Sequence, residues 1–159
     1  MRTLAILLCF AAPLTPALAA GPPVLADFDL TAPDGSIVNT RTFPSDPRWL
    51  ILYLQPNCKP CDTVLQLIKN QDRNPSVNRR LVIIGGGMSL SDLRRYRTKF
   101  PDLASARWYI GSAKETRASL KASGAPVVLG ISRRTIMWLL NGVPSDTRQL
   151  RVSMEAWTK

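Results

Sequence analysis

Two cysteines, Cys58 and Cys61, stand with only Lys59 and Pro60 between them, where an apolar run gives way to a helical one. A bridge across so short a loop constrains the unfolded chain very little, so it is a poor staple. Thiol–disulfide exchange is the chemistry that suits this spacing, and a plain structural disulfide is the competing reading. The flanking elements favour exchange. Trp49 to Leu54, WLILYL, is an apolar run of strand length, and Tyr53 adds β propensity. Gln55, Pro56 and Asn57 end it, and Val64, Leu65, Leu67 and Ile68 then recur at helical spacing. The reading is a strand, a tight turn and a helix whose first turn carries the pair. Unpaired N–H groups and the positive end of the helix dipole favour a thiolate at Cys58, while Cys61, one turn on, faces inward. Lys59 either supports that thiolate or is a solvated side chain. Pro60 suits a first turn, where its missing N–H costs nothing.

Much other chemistry is excluded by residue type. The sequence has no histidine, so neither a Ser-His-Asp nor a Cys-His nucleophile can be assembled. Residue 62 is Asp, which removes C-x-x-C-H haem attachment. A zinc ion wants about four ligands, and two thiolates without an imidazole do not supply them. Gly85-Gly86-Gly87 is followed by Met88 and Ser89 rather than a P-loop lysine, and reads as the end of a strand. No metal and no cofactor are expected.

Residues 1–19 read as a secretory signal peptide. Arg2 is its positive start, Leu4 to Ala12 its apolar stretch and Ala17-Leu18-Ala19 its cleavage site. Cys9 lies inside the apolar stretch and leaves with it. That stretch is short for a bilayer, which weighs against an uncleaved membrane anchor. The expected location is periplasmic. Residues 20–27, with the stiff Gly21-Pro22-Pro23, form a leader, and 28–159 form one domain with a core of its own.

Within that domain, Phe28, Leu30, Ile37 and Val38 flank the turn Pro33-Asp34-Gly35, which predicts a small hairpin. Phe43 to Pro47 is a loop into the central strand. Asn70 to Asn78 is polar, contains Pro75 and reads as loop. Leu81–Ile84, Ala106–Ile110, Val127–Ile131 and Thr135–Leu140 read as strands. Ser89-x-x-Asp92 loosely opens a helix that ends before Pro101, and Ser112-x-x-Glu115 is the cleaner capping box for a helix through Leu120. Arg133-Arg134 and Asn141-Gly142 are turns. Ser145 or Asp146 opens a last helix with Leu150, Met154 and Trp157 on one face. Alternation of strands and helices followed by a strand pair implies an α/β fold, a mixed sheet with helices on both faces.

Three segments together resemble the thioredoxin-fold superfamily, and within it the secreted TlpA-like branch. They are Phe28-Asp29-Leu30 with Asp34 to Val38, then Trp49 to Cys61, then Ser123 to Val128 followed by Asn141-Gly142. The resemblance spans nearly all of the chain after residue 27. It implies a thioredoxin-like three-layer α/β/α fold with a mixed central sheet and an N-terminal β-hairpin. It also implies a thiol–disulfide oxidoreductase in which Cys58 attacks and Cys61 resolves. Pro126 would be cis beside the cysteines, leaving the Ala125 backbone to pair with an extended partner peptide. A protein with a disulfide or thiols would be the substrate, and another protein the electron donor. The chain departs from the family pattern at Asn57, where an aromatic residue is usual. Asp62-Thr63-Val64-Leu65 stands where the branch often has a glutamate, so Asp62 is the acid at hand.

The charge balance is basic, 21 Lys and Arg against 11 Asp and Glu, a formal +10. Arg79-Arg80, Arg94-Arg95-Arg97-Lys99 and Arg133-Arg134 are the clusters. They form either a solvated face or a surface for an acidic protein or an anionic membrane. No nucleic-acid motif accompanies them, and none is expected in an exported protein. Two functions follow. One is an envelope oxidoreductase working through the Cys58–Cys61 dithiol in the reducing direction. The other is a non-catalytic thioredoxin-like component of an envelope secretion or conjugation machine.

Overall fold

The structure, a computed structural model, describes residues 21–43, 46–69 and 75–159. The signal peptide expected at 1–19 with its Cys9, the first residue of the expected leader, the Pro44-Ser45 part of the loop before the central strand and the 70–74 part of the loop expected at Asn70 to Asn78 lie outside the described residues. Among the described residues no helix is long and apolar enough to cross a membrane.

The N-terminal hairpin pairs β1 (Asp29–Thr31) with β2 (Ile37–Asn39). Its turn is held by the Asp34 carboxylate, which accepts from the Ser36 N–H at 2.9 Å and the Ser36 hydroxyl at 2.7 Å, while Gly35 takes φ +92°. The central strand β3 (Trp49–Leu54) leads into α1 (Lys59–Lys69). Then follow α2 (Pro75–Arg79), β4 (Leu81–Gly86), α3 (Leu90–Lys99), β5 (Arg107–Gly111) and α4 (Ala113–Leu120). The hairpin of β6 (Val127–Ser132) and β7 (Thr135–Asn141) and the helix α5 (Thr147–Trp157) close the chain.

One seven-stranded sheet runs in the order β2-β1-β5-β4-β3-β6-β7. β3, β4 and β5 are parallel, and β1, β2, β6 and β7 join antiparallel, so the sheet is mixed. The six residues of β3 are all buried because both faces of the sheet are covered. Leu50, Leu52 and Leu54 enter a core with α1, α3 and α5 through Leu65, Leu93 and Met154. Trp49, Ile51 and Tyr53 point to the opposite core, with Leu120 of α4 and with Leu25 and Phe28. The result is the expected three-layer α/β/α arrangement.

Three local expectations change. The stretch Asn70 to Asn78 is not loop throughout, since Pro75 opens α2. Proline is tolerated as a first helical residue, and the buried Val77 anchors the turn. The better capping box is at Ser89, not Ser112. Ser89 Oγ accepts from the Asp92 N–H at 3.1 Å, and the Asp92 carboxylate accepts from the Ser89 N–H at 3.2 Å. The Ser89 hydroxyl also donates to the Asp92 carboxylate at 2.7 Å, and this bond, followed by the one from the Ser89 N–H, holds the Asp92 carboxyl below its usual range. At α4 only the Ser112 half is made, at 3.5 Å, and Glu115 is exposed. Finally, contacts with the sheet begin ahead of residue 28. The Ile136 N–H donates to the Pro23 carbonyl at 2.8 Å, Val24 bridges Thr135, and Leu25 is buried. The Arg134 guanidinium donates to the Leu25 and Thr40 carbonyls at 3.0 and 2.9 Å and pairs with Asp27. The β6–β7 turn presents that guanidinium with Arg133 and Arg134 at φ +46° and +66°, the backbone of a tight two-residue hairpin.

Candidate active site

The end of β3 and the start of α1 place the two sulfurs. Gln55, Pro56 and Asn57 turn the chain, and Asn57 adopts φ +57°. Asparagine tolerates that left-handed region better than most residues, a local reason for its presence before Cys58. The Cys58 carbonyl then accepts from the N–H groups of Cys61 at 3.0 Å and Asp62 at 3.4 Å, which starts α1. Cys58 and Cys61 form a disulfide with S–S 2.10 Å, a dihedral of 80° and Cα–Cα 5.2 Å. The Cys61 N–H also points at Cys58 Sγ, 3.2 Å away. The two cysteines are unlike in their surroundings. Cys61 is fully buried in the core with Leu50 and Leu65, whereas Cys58 is only partly buried. Lys59 and Pro60 are exposed.

The second wall comes from β6. Antiparallel pairing sets Tyr53 opposite Val127, so the residues before Val127 face the point where the chain turns to Cys58. The Ala125 carbonyl oxygen lies 3.7 Å from Cys58 Sγ, and the Ala125–Pro126 peptide bond is cis. The Gly142 N–H donates to the Pro126 carbonyl at 2.8 Å and ties this loop to the end of β7.

The third wall was not legible in the sequence. A cleft of about 380 Å³ opens beside Cys58, bounded on one side by Asn57, Lys59 and Asp62 and on the other by Arg95, Tyr96 and Lys99 of α3. Asp62 and Lys99 form an ion pair at 2.7 Å across it. The other Asp62 oxygen is buried without a hydrogen-bond partner. Burial first, and then the Asp62 carboxylate, push the Tyr96 phenol above its ordinary value. The Tyr96 ring stacks on Phe100 with centroids 6.4 Å apart. The basic run Arg94 to Lys99 was visible as a cluster, but nothing local says that α3 packs alongside α1.

The fold thus gathers Cys58, Cys61, Lys59 and the Ala125–Pro126 bond at the end of the sheet where β3 finishes and β6 begins. Among the described residues no group of three or more His, Cys, Asp or Glu is placed to hold a metal ion. The same fold occurs in solved structures. A Chlorobium tepidum protein assigned as a thiol:disulfide interchange protein DsbE superposes with TM-score 0.67 at 17% identity, over 87% of this chain and 97% of the other. The chain has a thioredoxin fold. A secreted Mycobacterium tuberculosis disulfide oxidoreductase homologous to E. coli DsbE shares this thioredoxin fold with TM-score 0.63 at 13% identity, over 81% and 95% of the two chains. The exposed lipoprotein thioredoxin of Streptococcus pneumoniae follows with TM-score 0.61 at 11% identity, over 82% and 99%. At such identities the likeness establishes the thioredoxin fold and leaves the activity to be argued from the site. No protein-family model and no curated protein sequence matches this chain.

Proposed function

We propose that this chain is a thiol–disulfide oxidoreductase that acts on partner-protein disulfides through Cys58 and Cys61. The observation that carries the reading is the asymmetry of the pair, with Cys58 reachable at a helix start and Cys61 buried behind it. As a thiolate, Cys58 attacks one sulfur of a partner disulfide. A bond forms between Cys58 and that sulfur, the partner's own S–S bond breaks, and the released partner thiolate takes a proton. Cys61 loses its proton and attacks Cys58 Sγ, and the second partner sulfur leaves as a thiolate. The partner gains two electrons and two protons, and the dithiol of this chain becomes the disulfide. A dithiol donor protein restores the dithiol by the reverse exchange. The Ala125 backbone, 3.7 Å from Cys58 Sγ, is the edge along which an extended partner peptide pairs. The signal peptide read at 1–19 is the basis for a periplasmic location, and the secreted and exposed-lipoprotein neighbours support an exported one.

The reading is tested by reduction of insulin with dithiothreitol. The wild-type protein should accelerate it, and Cys58→Ser/Cys61→Ser should leave the rate at background. A wild-type protein equal to the double variant overturns the proposal and leaves a docking component of an envelope machine in its place.

The direction is reducing. No histidine lies between the cysteines, and the one cation there, Lys59, is exposed. A charge pair a few ångströms apart in water gains only about 1 kcal/mol. Strong oxidants and thioredoxin itself differ by roughly 7 kcal/mol on the two-electron scale. Equilibration against a glutathione buffer should therefore give a potential below about −200 mV. A value near the oxidant end, about −120 mV, would reverse the direction.

A further inference from the structure

We propose that the cleft between α1 and α3 selects partner segments that carry acidic residues beside their cysteine. This deepens the exchange reading above and rests on it. α3 bears Arg94, Arg95, Arg97 and Lys99, all exposed, against the single acid Asp92. Two of these, Arg95 and Lys99, line the same cleft as Cys58 and Lys59 and so bring positive charge to the reactive sulfur. The one carboxylate that lines the cleft, and the one that pairs with its Arg95, are already matched within the chain. Asp62 pairs with Lys99 at 2.7 Å and Asp92 with Arg95 at 2.7 Å. Among the described residues Lys59, Arg94 and Arg97 pair with no carboxylate, although Arg94 donates to the Pro33 carbonyl at 3.4 Å. Three cations, Lys59, Arg95 and Lys99, therefore stand against one lining carboxylate, Asp62, around the place a partner cysteine must enter.

Such a surplus acts over about 8 Å at physiological salt, the distance spanned by the residues next to an attacked cysteine. Carboxylates there speed the encounter, and lysines or arginines slow it. A polypeptide fits better than an anionic lipid surface. The cations border a concave cleft that contains Cys58, and a bilayer laid over it would cover the sulfur that has to react.

The test uses three disulfide-linked peptides of one length, with the cysteine flanked by Glu, by Ser or by Lys. Each is reacted with the reduced protein. Each rate is divided by that of dithiothreitol with the same peptide, which removes the peptide's own reactivity. The Glu peptide should react about tenfold faster than the Lys peptide at low ionic strength. The ratio should fall towards one in about 0.5 M salt. Arg95→Glu/Lys99→Glu, at the two α3 cations that line the cleft, should bring the low-salt ratio to one or below. Equal corrected rates in the wild-type protein overturn the selectivity and leave the exchange reading standing. No reaction with any peptide overturns both. Wild-type protein that sediments with phosphatidylglycerol vesicles and shows no preference among the peptides assigns the basic face to lipid and overturns the proposal.

Discussion

Reduced protein treated with iodoacetamide near neutral pH is expected to lose Cys58 about a hundred times faster than Cys61. Two effects multiply. Thiols at helix starts carry a thiolate fraction roughly tenfold above that of a free cysteine. Cys58 has that position, with the Cys61 N–H directed at its sulfur from 3.2 Å. Cys61 adds the second effect, because it is fully buried and the reagent cannot reach it without local opening. The same asymmetry separates the single variants. Cys61→Ser should accumulate a mixed disulfide through Cys58, because the resolving thiol is gone, and Cys58→Ser should trap nothing. Mass spectrometry of the alkylated and trapped species reads both outcomes. Preferential labelling of Cys61, or trapping by Cys58→Ser, would sink the assignment of roles.

Phe100→Ala is expected to destabilise the domain by about 3–5 kcal/mol. Phe100 is fully buried at the end of α3, and its N–H donates to the Tyr96 carbonyl at 3.0 Å. Truncation removes apolar surface from the core and leaves a cavity between α3 and the sheet that the backbone, capped there, cannot readily close. A loss of that size is a large share of the roughly 5–15 kcal/mol that holds a domain together. It should appear as a lower urea midpoint with an unchanged slope. Phe100→Leu, which keeps most of the volume, should cost less than about 1.5 kcal/mol. The site feels the change as well. The Tyr96 ring that walls the cleft beside Cys58 stacks on Phe100, so the alanine variant should lose cleft order along with stability. A loss under about 1 kcal/mol for Phe100→Ala would mean that the ring does not fill the core as its burial indicates.

Features set by near neighbours could be read from the sequence. The apolar run of β3, the helical spacing of Val64, Leu65 and Ile68, and the turn at Asp34-Gly35 depend on side-chain periodicity and on backbone preferences within a few residues. The pairing of Cys58 with Cys61 is local too, at a separation of three residues. Where local rules competed, the reading slipped. Pro75 suggested a break and became a helix start. Ser112-x-x-Glu115 looked the better cap, yet the shorter carboxylate of Asp92 closes the reciprocal box at Ser89.

Tertiary structure alone decided what surrounds the sulfurs. The register of β3 on β6 brings Ala125 to Cys58 across a separation of 67 residues. The placement of α3 beside α1 on the sheet sets Lys99 against Asp62, 37 residues apart, and makes a cleft out of a basic run that by itself is only a charged helix face. Arg134 reaches Leu25 across 109 residues and ties the chain ahead of the first strand to the sheet. Such contacts depend on which apolar faces bury one another. Periodicity shows that a face exists, but the choice of its partner comes from the packing of the whole core.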